Sequence, residues 1–178
     1  MRITAGAAKG HNLSVPSGVR DLRPTQGIVR LAIFNILGDK VKDASCLDLF
    51  SGTGSLGIEA ISRGAKECDF VEASQKAIDT LQRNLTHTVI LGKTKVFREK
   101  VQRFVEEQHD KFYDLIFLDP PYAEVPHEAL RLLDEHLEKD GVVIYLHRKG
   151  AIFIPHLKNL KVADERNYGV TTASFLTF

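Results

Sequence analysis

An apolar run, Asp114-Leu115-Ile116-Phe117-Leu118, ends in Asp119-Pro120-Pro121-Tyr122. Proline fixes φ and has no N–H, so two in succession make a rigid loop that offers carbonyl oxygens. A carboxylate, a carbonyl and an aromatic ring in such a loop suit an aromatic amine. That amine is a poor nucleophile because its lone pair is delocalised into the ring. Asp119 and the Pro120 carbonyl can each accept one of its N–H groups, which orients the nitrogen and raises its electron density. Tyr122 can stack on a base face, worth roughly 1–3 kcal/mol. The competing reading of these residues is a rigid loop with a core tyrosine.

A second group, Leu47-Asp48-Leu49-Phe50-Ser51-Gly52-Thr53-Gly54-Ser55-Leu56-Gly57, reads as a strand, a glycine-rich turn and a helix start. Glycines here allow a tight turn and let a ligand approach the backbone. Gly52-x-Gly54-x-x-Gly57 also matches the dinucleotide fingerprint, a string that arises easily by chance. Glu72 follows Gly52 by 20 residues and closes the next strand. A carboxylate there can accept hydrogen bonds from ribose hydroxyls. Turn and acid together point to an adenosine-containing cofactor and leave NAD and S-adenosylmethionine both open. The Asp-Pro-Pro-Tyr loop, built for an amine, selects S-adenosylmethionine.

These groups must be carried by alternating strands and helices. Strands are expected at Cys46–Phe50, Asp69–Glu72, Lys95–Arg98, Tyr113–Leu118 and Val142–Leu146. Helices are expected at Gly54–Arg63, at Ser74–His87 with Ser74 as cap, after Arg98 to about His109, and at Pro126–Lys139. Such alternation implies a parallel sheet covered on both faces. Leu160–Glu165 and Val170–Phe178 flank a turn at Tyr168-Gly169 and imply an antiparallel hairpin at one edge. Before all this, Arg2–Ala5 and Asn12–Val15 suggest a small hairpin outside the sheet. Thr25 then caps a helix whose apolar face is Ile28, Ala32, Ile33, Ile36 and Leu37. The expected division is an amino-terminal extension, 1–24, and a catalytic domain, 25–178.

The chain has 178 residues, 43% of them hydrophobic and 26% charged, as in a soluble globular protein of one domain. No apolar run approaches the roughly 20 residues needed to span a bilayer, and Met1 leads into polar sequence rather than a signal peptide. A cytoplasmic protein, without a membrane partner, is expected. Cys46 and Cys68 lie in strand-like runs and read as buried, inert thiols, and the seven histidines show no metal spacing. The net charge of +1 hides an asymmetry: through Lys42 there are seven Lys/Arg and only two acids. A basic end on a near-neutral body suits a polyanion, with Arg2, Lys9, Arg20, Arg23 and Arg30 as candidate phosphate contacts. The size and the lack of an obvious apolar patch suggest a monomer.

The wider pattern resembles a known family. Met1-Arg2-Ile3-x-Ala5-Gly6, Lys9-Gly10, Arg23-Pro24-Thr25, Val29-Arg30, Phe34-Asn35-Ile36-Leu37, Leu47-Asp48-Leu49-Phe50-x-Gly52-Thr53-Gly54 and Leu118-Asp119-Pro120-Pro121-Tyr122 are similar to the bacterial 16S rRNA guanine-N2 methyltransferases of RsmD type, which modify guanine 966. The resemblance spans nearly the whole chain. It implies a Rossmann-like α/β fold of class I methyltransferases, with a seven-stranded, mainly parallel sheet and an antiparallel last strand. It implies S-adenosyl-L-methionine contacts from Asp48, Phe50, Ser51, Gly52, Thr53, Gly54, Glu72 and Ala73. Base contacts would come from Asp119 to Tyr122, and 16S rRNA or the small subunit would be the partner, met partly through Thr25 and the amino-terminal cations. Gly27, Ile28 and Leu31 stand where the family has Asp, Arg and Glu. After the third strand, where an acid is usual near the adenine, the chain has Arg98-Glu99-Lys100-Val101, so Glu99 would serve from one position earlier. Three rival readings remain: a DNA adenine-N6 or cytosine-N4 methyltransferase, an NAD-dependent oxidoreductase, and a non-catalytic ribosome-assembly factor.

Overall fold

A computed structural model describes residues 1–15, 27–88, 91–108, 110–121, 125–150 and 157–178. Seven strands form one sheet: β1 (Ser45–Leu49), β2 (Glu67–Glu72), β3 (Thr94–Arg98), β4 (Tyr113–Leu118), β5 (Leu137–Arg148), β6 (Lys161–Tyr168) and β7 (Thr171–Thr177). Their order is β3-β2-β1-β4-β5-β7-β6. The pairs from β3 to β5 are parallel, and β7 runs antiparallel to both of its neighbours. The expected fold class and its reversed last strand are therefore present.

The central strands are buried on both faces, which is why they read as continuous apolar runs. One face packs under α1 (Gly27–Leu37), α2 (Ser55–Ser62) and α3 (Gln75–His87), through Phe34, Ile58, Leu81, Phe70 and Phe117. The other packs under α4 (Val101–Glu107) and α5 (His127–Leu132), through Phe104, Leu130, Leu47, Leu49 and Ile116. The Ser74 hydroxyl caps α3 by accepting from the Ala77 N–H at 3.4 Å. Cys46 and Cys68 are buried and unbridged, and burial pushes both thiols upward.

The amino-terminal residues make one antiparallel bridge, Arg2 to Asn12, rather than regular strands. Ile3, Ala8 and Leu13 enter the core under α1 and α2, so the described part of this segment is built into the domain while lying outside the sheet.

Two expected elements differ. The helix expected over Pro126–Lys139 ends at Leu132, passes through a 3₁₀ turn at Leu133–Glu135, and gives way to β5 at Leu137. Leu137 pairs with Tyr113 across a register shift, so its burial needs extended backbone. Gly141 permits the irregularity, because a Cβ there would meet Leu137 Cδ1 at 2.8 Å and the Glu138 carbonyl oxygen at 2.9 Å. The buried face of α1 is Val29, Arg30, Ile33, Phe34 and Leu37. Ile28, Leu31 and Ile36 point outward, 76%, 42% and 42% exposed. The helix is turned so that Phe34 meets Phe117 (ring centroids 5.6 Å apart) and Arg30 enters the interior. The absence of an apolar patch, the ground for expecting a monomer, does not hold along this helix. The Thr25 cap lies outside the described residues.

Among the described residues no helix is long and apolar enough to cross a membrane. Among the same residues no group of three His, Cys, Asp or Glu side chains could hold a metal ion.

Candidate active site at the carboxyl edge of the sheet

The chain leaves β1 towards β2 and β3, then returns to the other side of β1 to lay down β4. A crevice opens at such a reversal, beyond the carboxyl ends of the strands. Leu49 of β1 sits level with Val71 of β2 and Leu118 of β4. The next residues on the three strands are therefore Phe50, Glu72 and Asp119. The register alone brings the glycine-rich turn, the strand-end acid and the Asp-Pro-Pro loop to one edge.

The turn is conformationally demanding. Phe50 has φ of 55°, one of two described non-glycine residues with positive φ, and Gly52 and Gly54 have φ of 53° and 80°. A Cβ on Gly54 would lie 2.3 Å from Leu81 Cδ1. Gly57 serves packing, since a Cβ there would lie 2.4 Å from the Phe70 ring and 2.6 Å from Cys68 Sγ. The Gly57 N–H donates to Asp48 Oδ2 at 2.9 Å, tying the start of α2 to β1. Glu72 fixes the other side of the turn, accepting from the Gly52 N–H (2.9 Å) and the Ser74 N–H (2.7 Å). A carboxylate has about four lone-pair sites, so each oxygen keeps capacity for a ribose hydroxyl.

The edge is acidic. Burial pushes the Asp48 carboxyl well above the usual carboxylate range; the Gly57 N–H opposes this, and the charges of Asp119 and Glu72 push further upward. Charge is thus disfavoured on Asp48, while the charges of Glu72 and Asp119 beside it favour a cationic ligand and disfavour a pyrophosphate. Ser51 is buried, and its hydroxyl has no hydrogen-bond partner among the described residues. A buried polar atom without a partner costs roughly 1–3 kcal/mol, and a ligand in the turn would relieve it. Thr53 is also buried, and Ala73 is exposed beside Glu72.

At the β3 end, the Glu99 N–H donates to the Glu72 carbonyl at 3.1 Å. The Glu99 carboxylate pairs with Arg103 at 3.2 Å. Lys100 is exposed at the start of α4, and the Val101 side chain is taken up by the core. At the β4 end, Asp119 is half-buried, Pro120 buried and Pro121 exposed. Tyr122 lies outside the described residues.

Of the expected phosphate contacts, Arg2 and Lys9 are exposed, and Arg20 and Arg23 lie outside the described residues. Arg30 is a correction. It is 0% exposed, pairs with Glu59 at 3.2 Å and donates to the Arg2 carbonyl at 2.6 Å. Its guanidinium serves the interior and cannot meet a phosphate outside.

Sequence reasoning missed two organising residues. Glu59 accepts from Arg30, Arg63, the Thr4 N–H and hydroxyl, and the Ala5 N–H. Asn84 exchanges bonds with Ser14 (2.7 and 3.2 Å) and donates to the Thr53 carbonyl at 3.0 Å. It thereby joins the amino-terminal segment to the glycine-rich turn. The available signal was polarity in an apolar setting: Glu59 lies between Ile58 and Ala60, and Asn84 lies beside Leu85, one turn from Leu81.

Comparison with known proteins gives the family. The chain is 36% identical to YlbH of Bacillus subtilis (strain 168), provisionally named an rRNA methyltransferase, with 96% of this chain and 95% of that protein covered. It is 31% identical to ribosomal RNA small subunit methyltransferase D of Haemophilus influenzae, over 97% of this chain and 91% of that protein. The solved structure of yhhF from Escherichia coli, provisionally named a methyltransferase, matches with a TM-score of 0.85 and 30% identity, covering 99% of this chain and 96% of that one. The model of the family described as conserved hypothetical protein 95 matches residues 1–177, and with full-length relatives above 30% identity the chain belongs to that family.

Proposed function

We propose that this protein transfers a methyl group from S-adenosyl-L-methionine to the exocyclic N2 amine of a guanine in 16S rRNA, with guanine 966 as the target the family pattern points to. The observation that carries the reading is the shared rung of Leu49, Val71 and Leu118. It brings the glycine-rich turn and the Asp-Pro-Pro loop side by side, the arrangement that transfer from a cofactor to an amine requires. The relatives' names supply the RNA class: both are named as rRNA methyltransferases.

S-adenosylmethionine, when bound, supplies an electrophilic methyl group on a sulfonium centre, so the protein needs no metal or covalent intermediate. The chain's own residues do the rest. The Ser51 hydroxyl and the backbone of Phe50–Gly54 hold the cofactor's amino-acid end. Glu72 takes the ribose. The carboxylates of Glu72 and Asp119 favour the cationic form over a neutral one. The Asp119 carboxylate and the Pro120 carbonyl accept the two N–H bonds of the target amine and aim its lone pair at the methyl group. Nitrogen gains the methyl as the sulfur–methyl bond breaks, its electron pair staying on sulfur as a neutral thioether, and nitrogen loses one proton, which passes to Asp119 or to water. The amine becomes strongly acidic as the new bond forms, so Asp119 need not be a strong base beforehand. The base must leave its stack to reach this loop, and Tyr122 is placed in sequence to receive it.

The test is Asp119→Ala. Positioning contributes most of the rate gain here, and a lost positioning contact costs about 100-fold. Turnover should fall by about that factor while cofactor affinity stays within about threefold. Unchanged turnover would remove Asp119 from the mechanism.

A further inference from the structure

The crevice is acidic, yet its substrate is a polyanion. Cations must therefore stand beside it, on the side where the target base enters. We propose that Arg148 and Lys149, at the carboxyl end of β5, bind the RNA phosphates flanking the target guanine. This inference rests on the reading of the chain as an rRNA methyltransferase.

Position supports it first. Leu118 of β4 pairs with Tyr145 of β5. β4 ends at this rung, and β5 runs on for three residues to Arg148, beside the strand that carries the Asp119-Pro120-Pro121 loop. Neighbouring strands lie roughly 4.8 Å apart, which puts Arg148 within side-chain reach of a nucleotide held at Asp119. Facing supports it next. Phe117 of β4 and Ile144 and Leu146 of β5 belong to the same core cluster, on the side of the amino-terminal segment. Continuing the alternation along β5 puts Arg148 on that same side, and Lys149 opens the turn that follows.

Availability and rigidity complete the case. Both residues are exposed. Neither takes part in the ion pairs formed among the described residues, whereas Arg63, Arg103, Lys111, Arg131, Lys158 and Arg166 all do. The strand end is held in place. Arg148 pairs with Thr171 of β7, which also pairs with Tyr168 of β6. The Lys149 N–H donates to the Val170 carbonyl at 2.8 Å. One rung below, His147 meets the Ser174 hydroxyl at 2.9 Å, and that hydroxyl donates to Glu165 at 3.1 Å. Cations on a fixed ladder lose little freedom on binding. Arg98 and Lys100 are also exposed at the carboxyl edge, but they lie beyond β2, on the adenosine side of the crevice and away from Asp119.

The experiment measures binding of in-vitro transcribed 16S rRNA across a range of salt. Each phosphate contact on a single strand contributes about 0.7 to the slope of log K against log salt. Arg148→Ala with Lys149→Ala should therefore lower the slope by about 1.4, with cofactor affinity unchanged as the check on folding. Lys66→Ala with Lys161→Ala removes the same charge at the opposite edge and should leave the slope alone, and Arg148→Lys should retain it. Equal losses in both double variants, or an unchanged slope in the first, would overturn the proposal. A wild-type chain that failed to bind the RNA would instead overturn the rRNA reading, and this surface with it.

Discussion

Ser51 shows how one side chain can separate a structural role from a functional one. Its hydroxyl is buried without a partner among the described residues. Replacing it with alanine removes an unsatisfied group, so the free protein should keep or slightly gain stability. The same change removes a hydrogen bond to the cofactor, and S-adenosylmethionine affinity should fall by about tenfold, the size of one good hydrogen bond to a charged group. Calorimetry of binding beside a thermal melt reads both signs; a loss of stability with unaltered affinity would assign Ser51 to the fold alone. Residues of this kind were legible in the sequence because they occupy a recognisable turn. Arg30 was not. Its neighbourhood in the chain is basic, and nothing local reveals that Glu59, 29 positions away, draws it inside.

At the scale of elements, the Glu59 cluster fastens the amino-terminal segment to α2. Burial opposes the charge on Glu59, but bonds from Thr4, Arg63 and Arg30 outweigh it and hold the carboxyl below its ordinary value of 4.5. A lowered folded-state value means the stabilisation is fully present above the unfolded value and is lost as pH falls through the folded one. Glu59→Gln should remove the buried carboxylate that Arg30 and Arg63 share and cost about 3–5 kcal/mol, a fall in Tm of roughly 10 °C for a chain this size. The variant's stability should also depend less on pH below about 4.5. A Tm within about 2 °C of wild type would show that the cluster holds nothing. Element type was readable wherever apolar runs were unbroken, as in β4, whose expected and observed limits coincide. It failed at Pro126–Lys139, where the charged residues after Leu133 suit a helix and only the distant partner Tyr113 makes Leu137 extended. It failed again on the face of α1, because packing against Phe117 outranked the helix's own periodicity.

For the whole molecule, the sheet order turns scattered motifs into one crevice. Three motifs separated by tens of residues meet because the chain reverses direction at β1. That convergence was foreseeable, since alternating strands and helices leave few topologies. The supports around it were not, because Asn84, Glu59 and the end of β5 act only through contacts distant in sequence. The same architecture sets the charge pattern: Asp48, Glu72 and Asp119 around the glycine-rich turn, and Arg148 and Lys149 at the end of the strand beside the Asp-Pro-Pro loop. All of these features serve one proposed reaction, methyl transfer to a guanine amine in 16S rRNA. Its most direct test incubates the protein with labelled S-adenosylmethionine and either unmodified small subunits or naked 16S rRNA, then digests the product to nucleosides. Label in N2-methylguanosine is the predicted result. Label in another nucleoside, or none from a protein that binds the cofactor, would contradict it.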